Sequence, residues 1–191
     1  MALSDAELVE RALAGREDAY EELVVRYQRP LLSLLGRWLG DRALAEDLAQ
    51  EVFLKAFRAL GSYAPERKFS SWLFKIAHNA AIDQLRRRGI ATEPLEAGEE
   101  DAPDRLATLA DDRAESPAAR PERRELAGAL ETAIAGLRRE YREVVLLRFR
   151  EELSYEEVAE VTGLPLGTVK TFLHRARKEL AEALAGMGWK A

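Results

Sequence analysis

The sequence of 191 residues contains no cysteine and only two histidines. Without cysteine there is no disulfide framework, no thiolate nucleophile and no zinc–thiolate site, and the composition fits a reducing cytoplasm. The histidines, His78 and His174, stand in different halves of the chain, and no phosphate-binding loop or nucleophile elbow accompanies them. We therefore expect a protein that is not an enzyme and that uses no catalytic site, metal, cofactor or small-molecule substrate.

Long apolar runs are lacking as well. No stretch of about 18 apolar residues occurs, so no segment is expected to span a membrane. The start of the chain carries acidic residues from Asp5 onward and lacks the basic stretch and apolar run of a signal peptide. We expect a cytoplasmic protein with no membrane insertion.

Alternating β-branched residues are absent too, which argues against a sheet. Apolar residues recur at helical spacing on both sides of residues 90–122, a segment with four prolines and no aromatic residue. This segment carries a net charge of −7, whereas residues 1–89 and 123–191 each carry +1. The sequence predicts an all-α chain of two small helical domains, 1–89 and 123–191, joined by a flexible acidic linker, 90–122.

Capping residues and apolar spacing place the expected helices. Ser4 with Glu7 forms a capping box that begins the first helix, and Ser154 with Glu157 begins another. Pro65 should keep a loop out of helix. The expected helices run to about residue 14 and over about 17–39, 42–60, 70–88, 122–137, 140–149, 154–162 and 166–185, with a short helical turn near 106–109.

The stretch from Phe69 to Arg88 predicts a helix with two different faces. At about 100° per residue, one side collects a core face of Leu73, Phe74, Ala77, Ala81 and Leu85. The other side collects Trp72, Lys75, Asn79 and Arg86. An aromatic ring, an amide and cations are what unpaired bases and their phosphates require, and a stacked base is worth roughly 1–3 kcal/mol. This side could hold a DNA strand open. The alternative is that Trp72 packs against the preceding loop and the arginines form an ordinary solvated helix end.

Residues 154–180 have the features of a helix-turn-helix. The motif needs a small residue where its helices cross and a glycine with positive φ at the turn, and Ala159 and Gly163 stand four residues apart. The last helix should bury Val169, Phe172, Leu173, Ala176 and Leu180. Its other face should present Lys170, Thr171, His174, Arg175 and Lys178 to base edges or phosphates. The alternative for this face is a solvated basic helix.

The charge balance limits how the chain can bind DNA. Two flanks of net +1 offer few phosphate contacts, and the acidic linker repels the duplex. The free chain should therefore bind duplex DNA weakly and need a partner that brings DNA to it.

The whole chain resembles bacterial RNA polymerase sigma factors of the sigma-70 class, in the extracytoplasmic-function (group 4) subtype. Three motifs carry the resemblance: LAEDLAQEVFLKAFRAL (Leu44–Leu60), FSSWLFKIAHNAAIDQLRRR (Phe69–Arg88) and LSYEEVAEVTGLPLGTVKTFLHRARKEL (Leu153–Leu180). The resemblance implies an alternative sigma factor that binds core RNA polymerase and directs promoter-specific transcription initiation. The first domain would be sigma region 2, which binds the polymerase clamp helices and the −10 element. The second would be sigma region 4, which binds the flap and reads the −35 element.

The resemblance also implies roles for individual residues and a further partner, an anti-sigma factor. Polymerase would be bound by Asp47, Gln50, Glu51, Phe53 and Lys55. The −10 element and its unpaired bases would be bound by the loop 62–71 and the helix after it, through Lys68, Phe69, Ser70, Ser71, Trp72, Lys75, Asn79, Arg86 and Arg87. The −35 element would be read by Gly167, Thr168, Lys170, Thr171, His174, Arg175 and Lys178.

Two other functions stay open on the sequence alone. A stand-alone helix-turn-helix transcriptional regulator would need a dimer face and tight duplex binding without polymerase. A helical adaptor would never touch DNA. Gel shifts with and without core polymerase distinguish the three.

Overall fold

The computed structural model describes residues 3–89 and 121–189, and the regular structure in these two ranges is entirely helical. The chain divides into two compact units. The N-terminal helices are α1 (Asp5–Leu13), α2 (Glu17–Leu39), α3 (Arg42–Arg58), a 3₁₀ turn (Leu60–Ser62) and α4 (Phe69–Arg87). The C-terminal helices are α5 (Pro121–Gly136), α6 (Arg139–Val145), a π-helical turn (Leu146–Arg150), α7 (Tyr155–Thr162) and α8 (Leu166–Gly186). The predicted all-α fold class is confirmed.

Local capping sets the N-terminal helix boundaries. The Ser4 hydroxyl accepts from the Glu7 N–H at 3.3 Å while the Glu7 carboxylate accepts from the Ser4 N–H at 2.7 Å, which is the predicted capping box. Asp41 caps α3 by accepting from the Leu44 N–H at 3.1 Å. Gly40 ends α2 with a φ of 67°, a left-handed conformation that glycine adopts without steric cost. The break between α2 and α3 therefore falls where the sequence predicts it.

The core of the first unit lies between α2, α3 and α4, and α1 packs along α2. Its most deeply buried residues include Leu23, Leu31, Leu34, Leu35, Val52, Ala56, Leu73, Phe74 and Ala77. Pro30 lies inside α2, where a proline removes a backbone hydrogen bond at a cost of about 3 kcal/mol. Of the four leucines in the next five residues, three are buried, each worth about 1.5–3 kcal/mol, so tertiary packing keeps the helix continuous.

In the second unit, α5 and α6 both pack against α8. The predicted inward stripe of α8 is buried: Val169, Phe172, Leu173, Ala176 and Leu180 are at most 4% exposed. The rings of Tyr141 and Phe172 lie 5.3 Å apart, which joins α6 to the centre of α8. Phe172 is 0% exposed and so belongs to the core, as its position on the helix predicts.

Three boundaries differ from the expected ones. The helix expected over 140–149 is α6 to Val145 and then a π-helical turn through Arg150, in which Leu146 and Leu147 are almost fully buried. The helix expected over 42–60 ends at Arg58, where the 3₁₀ turn takes over. Of the expected linker, residues 90–120 lie outside the described part, including the turn near 106–109. Its last two residues begin α5, because proline is favourable at the first position of a helix.

Candidate nucleic-acid interface

The two predicted faces of α4 are present. The core-face residues Leu73, Phe74, Ala77, Ala81 and Leu85 are at most 5% exposed. On the other side Lys75, Asn79, Arg86 and Arg87 are exposed, and Trp72 is half-buried. The helix therefore offers solvent an indole, an amide and cations along one side.

Four rings support the start of α4, and we call Tyr27, Tyr63, Phe69 and Trp72 the aromatic cluster. Phe69 is at its centre, with ring centroids 5.2 Å from Tyr27, 5.6 Å from Tyr63 and 5.6 Å from Trp72. Tyr63 and Trp72 are also 5.6 Å apart. Trp72 thus packs against the preceding loop, as the alternative interpretation expects, yet part of its surface stays in solvent. Packing on one side holds the indole in a fixed orientation and leaves the other side available.

Tyr63 also closes the loop before α4. Its hydroxyl donates to the Arg67 carbonyl at 2.6 Å, and the Arg67 N–H donates to the Ala64 carbonyl at 3.0 Å. Pro65 occupies the second position of that turn, which its fixed φ favours. Burial raises the pKa of Tyr63, and nearby carboxylates raise it further, so the hydroxyl remains a donor at neutral pH. The loop is held by its own hydrogen bonds.

Two of the residues predicted to bind the −10 element are buried. Phe69 is 1% exposed and Ser71 is 5% exposed, so neither side chain lies on the surface of the unit, and their roles in −10 binding stay a prediction. Phe69 is inside the aromatic cluster, and Ser71 faces inward from the first turn of α4. Lys68, just before the helix, is exposed and Ser70 is half-buried, so both remain in the candidate surface.

α3 carries the residues predicted to bind polymerase. Asp47, Gln50, Glu51 and Lys55 are exposed. Lys55 Nζ lies 2.7 Å from Glu51 Oε1, an ion pair one helical turn apart. Phe53 is only 9% exposed, and its ring lies 5.9 Å from that of Phe57. Phe53 therefore packs inside the unit, and its role in polymerase binding stays a prediction.

Sequence reasoning missed Leu54 on this surface. The residue is 58% exposed. It follows Asp47 by seven positions and Glu51 by three, so it continues the same side of the helix. We call Asp47, Gln50, Glu51, Leu54 and Lys55 the α3 stripe. The signal was available in the sequence, since helical spacing from Asp47 reaches residue 54.

The helix-turn-helix geometry follows the prediction. The Glu157 N–H donates to Ser154 Oγ at 3.1 Å and the Ser154 N–H donates to the Glu157 carboxylate at 2.6 Å, which begins α7 with a capping box. Gly163 adopts a φ of 73° between α7 and α8. A residue with a side chain is disfavoured in this conformation, so the turn favours glycine at this position.

The outer face of α8 exposes fewer side chains than the sequence predicts. Gly167, Lys170, His174 and Lys178 are exposed, and Arg175 is half-buried. Thr168 and Thr171 are each 8% exposed, so the expectation that Thr171 faces outward is wrong, and contacts of these two residues with DNA stay a prediction. The Thr171 hydroxyl donates to the Gly167 carbonyl at 2.9 Å, which satisfies a buried polar group within its own helix.

Within residues 3–89 and 121–189, no helix combines the length and apolar character needed to cross a bilayer. These residues also contain no group of three or more histidine, cysteine, aspartate or glutamate side chains placed to hold a metal ion.

Known proteins resemble this chain along most of its length. Family models of Sigma-70 region 2 and Sigma-70 region 4 match residues 23–90 and 127–180. The chain is 37% identical to the RNA polymerase sigma-H factor of Pseudomonas aeruginosa, covering 94% of this chain and 93% of that one. It is 34% identical to the ECF RNA polymerase sigma factor SigW of Bacillus subtilis, covering 92% and 94%. The solved structure of CnrH in complex with the cytosolic domain of CnrY matches with a TM-score of 0.64 at 27% identity, covering 95% and 97%. The chain therefore belongs to the extracytoplasmic-function subfamily of the sigma-70 family of RNA polymerase sigma factors.

Proposed function

We propose that this sigma factor, which directs promoter-specific transcription initiation by core RNA polymerase, divides that work between its two helical units. Residues 1–89 act as sigma region 2, bind the polymerase clamp helices and capture unpaired bases of the −10 element. Residues 123–191 act as sigma region 4, bind the flap and read the −35 element. Residues 90–122 connect the two.

The observation that carries the proposal is the pair of faces on α4. One side is closed by core packing, and the other presents a half-buried indole beside exposed Lys75, Asn79, Arg86 and Arg87. An unpaired base can stack on the indole, the amide can bond a base edge, and the cations can contact phosphates. Stacking is worth roughly 1–3 kcal/mol per base, which is comparable to the cost of unstacking it.

Polymerase binding is assigned to the α3 stripe. Its acidic and amide side chains offer polar contacts, and Leu54 offers apolar area among them. Interfaces commonly take most of their affinity from a few well-packed side chains surrounded by polar contacts. Burial of Leu54 against polymerase would therefore add a hydrophobic contribution to the polar contacts of the stripe.

Duplex reading is assigned to the exposed side of α8. Lys170, His174 and Lys178 are exposed there, with Arg175 at the edge and Gly167 near the helix start. The first turns of a recognition helix contact base edges while later residues contact phosphates. Lys170 and His174 are thus assigned to bases and Lys178 to phosphate.

The proposal includes a location and a further partner. The protein works in the cytoplasm, where polymerase and promoter DNA are. It contributes no catalytic group, since polymerase carries out RNA synthesis. It is also held by an anti-sigma factor; CnrH, which this chain resembles, was solved bound to the cytosolic domain of another protein.

The first test compares promoter binding with and without core polymerase. Gel shifts at one fixed salt concentration should show weak binding by the free chain and tight binding by the reconstituted holoenzyme, because the two units carry little net positive charge. Tight, sequence-specific duplex binding by the chain alone would favour a stand-alone regulator. No promoter binding in either sample would favour an adaptor that does not contact DNA.

The second test addresses the α4 face. Trp72→Ala and Asn79→Ala should reduce the permanganate reactivity of thymines in the −10 region while core polymerase binding is unchanged. Trp72→Phe keeps a ring for stacking and should retain more activity than Trp72→Ala. Gln28→Ala removes an exposed amide from α2 and serves as the matched control for Asn79→Ala. Unchanged footprints in both test variants would remove the strand-capturing role from this face.

A further inference from the structure

Asp5, in the first turn of α1, joins α1 to α2. One carboxylate oxygen accepts from Arg26 Nη1 at 2.5 Å, and the other accepts from the Tyr27 hydroxyl. Arg26 Nη2 also donates to the Leu3 carbonyl at 3.0 Å. The Asp5 and Arg26 side chains are only 26% and 29% exposed, so salt screens this pair less than a surface pair.

Tyr27 extends this link to the aromatic cluster. Its ring centroid lies 5.2 Å from that of Phe69, and Phe69 contacts both Tyr63 and Trp72. Burial raises the pKa of Tyr27, and the hydrogen bond to Asp5 raises it further, so the hydroxyl stays protonated and donates. A phenol held at its oxygen by a carboxylate has little freedom to tilt. An unbroken series of contacts therefore runs from α1 to Trp72.

A second contact of α1 lies beside the loop that precedes α4. α1 touches the 3₁₀ turn Leu60–Ser62, which leads directly into the loop closed by Tyr63. The match to Sigma-70 region 2 begins at residue 23, so α1 lies outside the part of the chain that this family model describes. α1 therefore contacts the turn that leads into the loop and, through Asp5, bonds to Tyr27 of the aromatic cluster.

We propose that Asp5 is a positioning residue for promoter opening. Through Tyr27 it fixes the ring of Phe69, and Phe69 in turn fixes the orientation of Trp72 and the loop 63–67. Asp5 itself does not touch DNA. Holding these groups in place beforehand lowers the entropy lost when an unpaired base is captured. The proposal rests on the proposed function of the α4 face.

The test uses reconstituted holoenzyme and a promoter with 2-aminopurine in the −10 region. Asp5→Ala removes the acceptor, and Tyr27→Phe removes the hydroxyl but keeps the ring. Each should slow open-complex formation by about three- to tenfold, with core polymerase affinity unchanged. The double variant should be no slower than the slower single variant, because both changes remove the same hydrogen bond. Glu7→Gln removes a charge from the same turn of α1, where Glu7 bonds to Ser4, and should leave opening unchanged.

Trp72→Ala, measured in parallel, separates this proposal from the function on which it rests. If Trp72→Ala slows opening while Asp5→Ala and Tyr27→Phe do not, the positioning role is refuted and the strand-capturing face stands. If Trp72→Ala has no effect either, the proposed function itself fails. Equal losses of core affinity and of opening would mean that Asp5 merely holds the unit folded, which also refutes the proposal. Should Asp5→Ala not fold, Tyr27→Phe decides, because it preserves the ring packing.

Discussion

Leu54→Ala should weaken binding to core RNA polymerase without unfolding the chain. Burying a whole leucine side chain is worth about 1.5–3 kcal/mol, and 58% of Leu54 is available to a partner. Its burial against polymerase is therefore worth roughly 0.9–1.7 kcal/mol, which is about a four- to twentyfold loss of affinity. Since the side chain is exposed in the free chain, the free energy of unfolding should change by less than about 0.5 kcal/mol.

Competition between a fluorescently labelled wild-type chain and each variant for core polymerase measures this loss. Val25→Ala is the matched control, because Val25 is 63% exposed on α2 and lies off the α3 stripe. Equal affinities for the two variants would refute the assignment of the α3 stripe. A loss of affinity that follows a lowered Tm would refute the reasoning as well, since Leu54 would then contribute to folding.

Three other results follow from the structure. Lys178→Ala should weaken promoter binding by holoenzyme and reduce the slope of log affinity against log salt by about 1, because this side chain is assigned to phosphate. Thr171→Val should change neither quantity. A salt titration by filter binding would contradict this if both variants shifted alike. Gly163→Ala should lower the free energy of unfolding by about 1–2 kcal/mol because of the φ of 73° at this position. Gly167→Ala, inside α8, places its Cβ in open space and should not lower it. The hydrogen bond from the Leu44 N–H lowers the pKa of the Asp41 carboxyl. The stabilising effect of this cap is therefore complete above about pH 3.9, the usual pKa of an unfolded aspartate, and it is lost as the pH falls through the lower pKa of the folded state. Asp41→Asn should remove this pH dependence from urea unfolding between about pH 6 and pH 2, and an unchanged profile would exclude the cap as its source.

Most of the fold could be predicted because its boundaries are set by local chemistry. Ser4 and Ser154 begin helices by capping, and Gly40 and Gly163 end them with positive φ. The π-helical turn after α6 was not predictable, because the apolar spacing of Leu146 and Leu147 suits an α-helix equally well. Only packing in three dimensions decides between the two.

The candidate site was harder to predict, because a residue's type does not determine which way it faces at the edge of a helical stripe. Phe69 is an aromatic residue next to basic ones, yet three other rings enclose it. Thr171 is polar, yet it is buried and bonds to its own backbone. Leu54 is apolar, yet it is exposed. For Phe69 and Thr171, tertiary contacts settle the orientation, and a single sequence does not contain them. The side of α3 that Leu54 occupies, in contrast, follows from its helical spacing to Asp47.

The division of α8 into a packed side and an exposed side has an evolutionary consequence. Thr168, Thr171 and Phe172 are buried, so we expect substitutions there to alter folding first. Changes at Lys170 or His174 leave the packed side untouched. Gene duplication followed by one or two substitutions at such positions could therefore give a new regulatory circuit without a loss of foldability.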